Sequence, residues 1–113
     1  MITKAKSEQF QTRRGLPHLR ITVKYAMPFR ESAGVREETY ETAQNSTNVA
    51  GVLDLIVRRH SSMNKFVDIT SEEAQRRHLV VAINSRLARL SDLVHDGDSV
   101  SLLLPVIGGS EEW

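Results

Sequence analysis

Cysteine is absent from the 113-residue chain. That excludes a disulfide scaffold, a thiolate metal site, a cysteine nucleophile and any redox chemistry carried by the protein's own sulfur. A surplus of one charge sign is missing too, since 15 basic residues against 14 acidic ones leave a formal net charge of +1. A binder of nucleic acid or of an anionic membrane is expected to show a marked basic excess, so neither is an expected partner. The arginine pairs Arg13-Arg14, Arg58-Arg59 and Arg76-Arg77 have carboxylates nearby or lie in polar stretches, and they read as solvated faces. No apolar run approaches the roughly 18 residues needed to cross a bilayer. The N-terminal stretch also lacks the apolar segment of a secretory signal, which gives a cytoplasmic expectation and leaves the glycosylation-like Asn45-Ser46-Thr47 without consequence.

The composition that is present, 40% hydrophobic and 26% charged, suits a single domain. At this length roughly two thirds of the unfolded chain's surface can be buried, enough for one core and too little for a second domain. Residues 1–17 are polar, lack apolar periodicity and end in Gly15 and Pro17, and so read as a flexible N-terminal extension. In 18–26, Leu19, Ile21, Val23 and Tyr25 alternate with Arg20, Thr22 and Lys24, the period-two pattern of a half-buried strand. A turn is predicted over 28–34. A second, weaker strand is predicted over 35–42, with Val35, Glu37, Thr39 and Glu41 on one face, so the two strands form a hairpin.

Asn48 is a candidate N-cap, and Val49, Val52, Leu53, Ile56 and Val57 fall at i, i+3, i+4, i+7 and i+8, which predicts a helix ending near His60. Residues 61–65 read as a loop, and Ser71-Glu72-Glu73 caps a short helical turn. A strand over 79–83, a turn at Asn84-Ser85, a short strand over 87–90 and a turn at 95–98 follow. The last strand, 100–106, is interrupted by Pro105. The order β-β-α-β-β-β, with one long helix serving as the crossover and the first and last strands side by side in the centre, is an α+β arrangement. A mixed sheet of four to five strands packed on one main helix is the β-grasp, or ubiquitin-like, fold.

Conventional catalytic constellations do not stand out. His18, His60, His78 and His95 are dispersed without metal-ligand spacing and read as surface histidines, so no metal is expected. Asp96-Gly97-Asp98 lacks the full calcium-loop spacing and reads as a hairpin turn. Gly108-Gly109 does not open a helix as a phosphate loop would. The pair instead follows the apolar stretch Leu104-Pro105-Val106-Ile107 and is trailed by Ser110-Glu111-Glu112-Trp113. A tail without Cβ atoms can thread a channel that bulkier residues cannot enter.

Three stretches are similar to the small sulfur-carrier family of molybdopterin synthase small subunits and thiamine sulfur carriers. Arg30-Glu31-Ser32-Ala33-Gly34 resembles the family's Arg-Glu-x-x-Gly turn, and Ala82-Ile83-Asn84 its Val-Asn strand end. Leu93, Asp96-Gly97-Asp98-Ser99-Val100 and Leu104-Pro105-Val106-Ile107-Gly108-Gly109 resemble its Leu-x-x-Gly-Asp-x-Val strand and Pro-Val-x-Gly-Gly tail. The resemblance implies that Gly109 is adenylated by an E1-like activating enzyme using ATP and converted to a C-terminal thiocarboxylate. No cofactor is bound by the carrier itself. The acceptor is another enzyme or a synthase large subunit, with molybdopterin-type chemistry the first choice, and the carrier is a co-substrate rather than an enzyme. Because Gly109 is followed by Ser110, the resemblance further implies a C-terminal-processing metallopeptidase that removes 110–113, leaving 18–109 as the working domain. Leu104 stands where the molybdopterin carriers often have a second proline. Two other readings remain open: a ubiquitin-like modifier joined to lysines through Gly109, and a non-covalent interaction module whose tail is never processed. An apolar patch near the tail is expected to meet partners, with Phe29, Leu102, Leu104, Pro105, Val106 and Ile107 as candidates and Arg30 and Arg86 as weaker charged ones.

Overall fold

The computed structural model describes residues 18–105; the expected extension 1–17 and the tail 106–113 lie outside the described residues. In chain order the elements are β1 Leu19–Tyr25, α1 Phe29–Ala33, β2 Glu37–Thr42, β3 Ser46–Asn48 and α2 Val49–Arg59. A 3-10 helix Ser61–Phe66, α3 Glu72–Arg76, β4 Val80–Ile83, β5 Arg86–Ala88, β6 Leu93–His95 and β7 Ser99–Leu103 complete them. One five-stranded sheet has the order β2-β1-β7-β4-β5, and β3 and β6 form a separate two-stranded ribbon. β1 pairs antiparallel with β2 and parallel with β7, so the first and last strands are the central neighbours. Parallel neighbours cannot be joined by a tight turn, and the intervening chain supplies the long connection such a pair requires.

The alternation in β1 produces the expected two faces. Leu19, Ile21, Val23 and Tyr25 are buried, while Arg20 and Lys24 are exposed. The buried set meets Val81, Val100 and Leu102 of the neighbouring strands and Val49, Val52, Leu53 and Ile56 of α2 in one core. Each fully buried aliphatic of this kind contributes about 1.5–3 kcal/mol relative to exposure. α2 begins where its sequence says it should: Asn48 is extended (φ −116°, ψ 176°), and its side-chain oxygen accepts from the Gly51 N–H at 2.8 Å. Ser71 caps α3 in the same way, accepting from the Ala74 N–H at 3.0 Å.

Several elements depart from expectation. The stretch 28–34 contains a helix rather than a bare turn: Phe29 and Ala33, four residues apart, are both buried, and Gly34 (φ 81°) is the left-handed C-cap, its N–H donating to the Arg30 carbonyl. The face of β2 holding Glu37, Thr39 and Glu41 points away from the core. The opposite face carries the strand's one buried residue, Tyr40, which pairs across from Ile21. An edge strand with a single core residue leaves little periodic signal. Residues 61–66 wind into a 3-10 helix around the fully buried Met63, and Phe66 packs edge-on against Phe29 with centroids 4.9 Å apart. β3 and β6 are three residues each, too short for periodicity to reveal, although Val94 at the centre of β6 is fully buried.

The connections are held by side chains. Gln75, 3% exposed, accepts from the Asp68 N–H at 2.7 Å and donates to the Phe66 carbonyl at 2.8 Å. Glu72 accepts from the Leu90 N–H and ties α3 to the segment before β6. Asn84 and Ser85 have positive φ (49° and 73°), the backbone of a tight two-residue hairpin between β4 and β5. Asn84 also reaches β7: its amide donates to Asp98 Oδ1 at 3.0 Å and its carbonyl oxygen accepts from the Ser99 N–H at 2.9 Å. Replacing a capping Asn by Ala typically costs about 1 kcal/mol. Asn48→Ala is therefore expected to lower the unfolding free energy by roughly that amount in urea titrations, with the slope of the transition unchanged.

Candidate functional site: the tail exit and the open face of the sheet

β7 carries the chain out of the middle of the sheet. Its last paired stretch is fastened on both sides, by the Ala26 N–H donating to the Leu102 carbonyl at 3.1 Å and by the pairing of Leu103 with Val80. Leu104 is then 51% exposed, and Pro105 has no N–H to continue the ladder. Gly108, Gly109 and Ser110, and with them Val106 and Ile107, lie outside the described residues. Exposed apolar side chains surround the exit. Met27 follows the end of β1 and is 47% exposed, and Val35 precedes Arg36, whose carbonyl accepts from the Tyr25 N–H at that end of β1.

Two of the residues expected to face partners do not. Phe29 and Leu102 are fully buried, Phe29 because α1 turns it onto the 3-10 helix and Leu102 because it pairs with Tyr25 and Val81 on the face toward α2. Of the expected apolar set, Leu104 is exposed and Pro105 partly so. Strand alternation puts Leu103 on the face away from α2, where the registers line up Glu37, Lys24, Ser101, Ala82 and Leu87 in one row across the sheet. Val80 stands beside Leu103. Leu87 is 71% exposed, so this open face has an apolar half over β7, β4 and β5 and a charged half over β1 and β2. Val80, Ala82, Leu87 and Leu103 were not foreseen, because choosing between faces of β7 required its register against β4. Arg86 is exposed at the start of β5, and Arg30 turns back to donate from Nε to the Tyr25 carbonyl at 3.3 Å.

The densest cluster of titratable groups lies elsewhere, between β1, β2 and the end of α2. Glu38 Oε2 accepts from the Tyr25 hydroxyl at 2.6 Å, the Tyr40 hydroxyl at 2.8 Å and His60 Nε2 at 2.6 Å, while Arg59 Nη1 reaches Oε1 at 3.4 Å. An ionised carboxylate only accepts, so His60 Nε2 carries the hydrogen. His60 is thus a partner in a half-buried network, its side chain 18% exposed, and not an ordinary surface histidine. The Arg59 guanidinium also lies over the Tyr40 ring, 3.9 Å from its centroid. Burial pushes both tyrosine hydroxyls upward, Tyr40 to about 12, and the bond to Glu38 adds to the rise in Tyr25. Burial acts upward on Glu38 as well, but the hydrogen bonds from Tyr25, Tyr40 and His60 outweigh it and hold the carboxyl below its ordinary value. With Tyr25, Tyr40 and His60 all donating to one carboxylate oxygen and Arg59 Nη1 shared between Glu38 and the Thr39 carbonyl, the cluster is a clasp between sheet and helix.

The Asp96-Gly97-Asp98 turn is likewise satisfied by protein. Asp96 Oδ1 accepts from the Arg20 N–H, Asp98 Oδ2 from the His95 N–H, and Gly97 (φ 89°) supplies the left-handed backbone. Among the described residues no group of three or more His, Cys, Asp or Glu is placed to hold a metal, and no helix is long and apolar enough to cross a membrane.

A mixed sheet with parallel central strands, one long helix across one face and a diglycine tail leaving the central strand defines a ubiquitin-like β-grasp protein. The chain belongs to the ThiS family, whose model matches residues 23–109, through the second glycine of the tail. Among solved structures it is similar to a protein of Pyrococcus furiosus described as molybdopterin converting factor, subunit 1, with 30% identity, a TM-score of 0.66 and coverage of 78% of this chain and 99% of that one. SAMP1 from Haloferax volcanii matches with 26% identity and a TM-score of 0.64, covering 80% of this chain and 99% of the other. Small archaeal modifier protein 1 from Methanosarcina acetivorans, at 22% identity and a TM-score of 0.63 over 81% of this chain and 98% of that one, shares the fold. No curated protein sequence matches the chain.

Two outcomes check this division of faces. Leu102→Ala is expected to cost about 2–5 kcal/mol of stability, as for buried leucines generally. Leu87→Asp should stay within about 0.5 kcal/mol of the parent, as for exposed positions, and equal losses for the two would contradict the assignment. For the clasp, a carboxyl held low in the folded state stabilises above its unfolded value of 4.5, and that contribution is lost as pH falls below it. Urea midpoints measured from pH 7 down to pH 3 should fall less steeply in Glu38→Gln than in the parent.

Proposed function

We propose that this protein is a sulfur carrier whose working group is the carboxylate of Gly109. The observation that carries the proposal is the ThiS family match running through Gly109, in the segment that follows β7 and the exposed Leu104. Hydrolysis of the Gly109–Ser110 amide by a processing metallopeptidase frees the carboxylate. One of its oxygens attacks the α-phosphate of ATP on an E1-like activating enzyme, and pyrophosphate leaves. Hydrosulfide attacks the acyl carbon of the adenylate, AMP departs, and a thiocarboxylate remains on Gly109. The domain contributes a handle and a thin arm. Glycine without Cβ lets the arm enter a narrow channel, while the apolar half of the open face and the residues around the exit, Leu104 and Met27 among them, are the contact surface for activating enzyme and acceptor. The 30% identity to the Pyrococcus furiosus converting-factor subunit favours a synthase large subunit of molybdopterin type as the acceptor.

A second reading rests on the similarity to SAMP1: the same adenylate captured by a lysine amine would make an amide and release AMP, giving a protein modifier. Incubating processed chain with its activating enzyme, ATP and sulfide should add the mass of one oxygen-to-sulfur exchange, and Gly109→Val should abolish the gain without altering the fold. Intact mass of the protein from its native host is the check on processing. Active protein that retains residues 110–113 would overturn the carrier proposal, and higher-mass conjugates that vanish with Gly109→Val would favour the modifier.

A further inference from the structure

β5 is three residues long, lies at one edge of the sheet and pairs with β4 alone, yet it carries Leu87, the 71% exposed apolar side chain of the open face. A short strand with one neighbour frays readily, because few hydrogen bonds and little buried surface oppose local opening. Here side chains tie both of its ends to other elements. Before β5, Asn84 turns the chain with a φ of 49°. Its N–H still donates to the Ser99 carbonyl at 2.8 Å, and its side-chain oxygen accepts from the Ser99 N–H at 2.9 Å. The side chain thus stands in for the main-chain carbonyl of a continuing antiparallel ladder and closes one more rung between the hairpin and β7. Its Nδ2 donates to Asp98 Oδ1 at 3.0 Å, and Asp98 Oδ2 accepts in turn from the His95 N–H at 2.8 Å. After β5, Glu72 on α3 accepts from the Leu90 N–H, while Arg76, four residues along α3, stands 4.0 Å from its other oxygen.

We propose that Asn84 and Glu72 are positioning residues for partner recognition: by pinning the two ends of β5 they hold Leu87 in place for the activating enzyme. The inference rests on the sulfur-carrier reading and on the open face as its contact surface. An apolar anchor already held in its bound position binds more tightly than one that has to be ordered on contact, since that ordering subtracts from affinity. Leu87 on a braced β5 is preorganised, and Leu87 on a frayed β5 is not. Losing either brace therefore weakens association and leaves the chemistry at the Gly109 carboxylate alone.

Asn84→Gly keeps the positive φ accessible and removes one brace, and Glu72→Ala removes the other. In adenylation of the processed chain by its activating enzyme, followed as ATP–pyrophosphate exchange, each should raise KM for the carrier about fivefold with kcat unchanged. Glu72→Gln keeps an acceptor and should retain the parent KM. Leu87→Ala should raise KM on its own, and adding either brace variant to it should raise KM no further. Amide exchange followed by NMR is the second readout. The Arg86 and Ala88 N–H groups, opposite Ile83 and Val81, should exchange faster in both brace variants, by a larger factor than those of Val23 and Leu102 in the central strands. Additive effects on KM, a fall in kcat, or unchanged exchange at Arg86 and Ala88 overturns the proposal. If Asn84→Gly fails to fold, Glu72→Ala and Glu72→Gln decide the matter. If Leu87→Ala is adenylated with the parent KM, the proposal and the contact surface fail together while the carrier reading stands. If the processed parent is never adenylated, the carrier reading fails, and exchange at Arg86 and Ala88 alone upholds or overturns the brace.

Discussion

The parallel pairing of β1 with β7 is the constraint from which the rest of the structure follows. It joins two core-forming strands in the interior of the sheet, aligning Val23 with Val100 and Tyr25 with Leu102. Strands paired this way demand a long connection, which β2, α2 and β4 supply, and they oblige both strands to run toward the same edge. The end of β1 and the start of the tail therefore emerge together, and Met27 and Leu104 share one rim. The face of β7 turned from α2 is fixed by the same register, which sets Ser101 between Lys24 and Ala82.

Much of this was legible in the residues. β1, α2 and its Asn48 cap, the Ser71 cap, the Asn84-Ser85 hairpin and the neighbouring placement of first and last strands all follow from periodicity and turn chemistry. Such signals are local, and they survive because core packing reinforces them. What stayed hidden was set by contacts between distant segments. Gly34, read as the end of a turn, is the C-cap of a helix too short to show a period; Tyr40 is the only core residue on its strand. His60 looked like an isolated surface side chain until β2 brought Glu38 beneath it. At the candidate site, the diglycine was evident as a motif, whereas Leu103 and Leu87 could be told from Leu102 only through the pairing of β4 with both its neighbours.

The Glu38 clasp and the aliphatic core stabilise the same joint by different physics. Packing of Val52, Leu53 and Ile56 on β1 and β7 is non-directional, and nearby registers would bury similar area. Hydrogen bonds from Tyr25, Tyr40 and His60 to one carboxylate oxygen admit one geometry, so they select the seat of the helix end on the sheet. Tyr25, one of those donors, pairs with Leu102, so the clasp also fixes the end of β1 beside the last residues of β7 before the exposed Leu104.

The two outer strands of the sheet bear on how such a body behaves in a crowded solution. β2 carries Glu37, Glu38 and Glu41, and β5 is only three residues long. Acidic and truncated edges are poor templates for another chain's backbone, so sheets of this kind resist zipping together side by side. The carrier proposed above would act in stoichiometric amounts and would be stocked in excess over the enzymes that load and unload it. Edges that discourage self-association would keep such a stock dispersed.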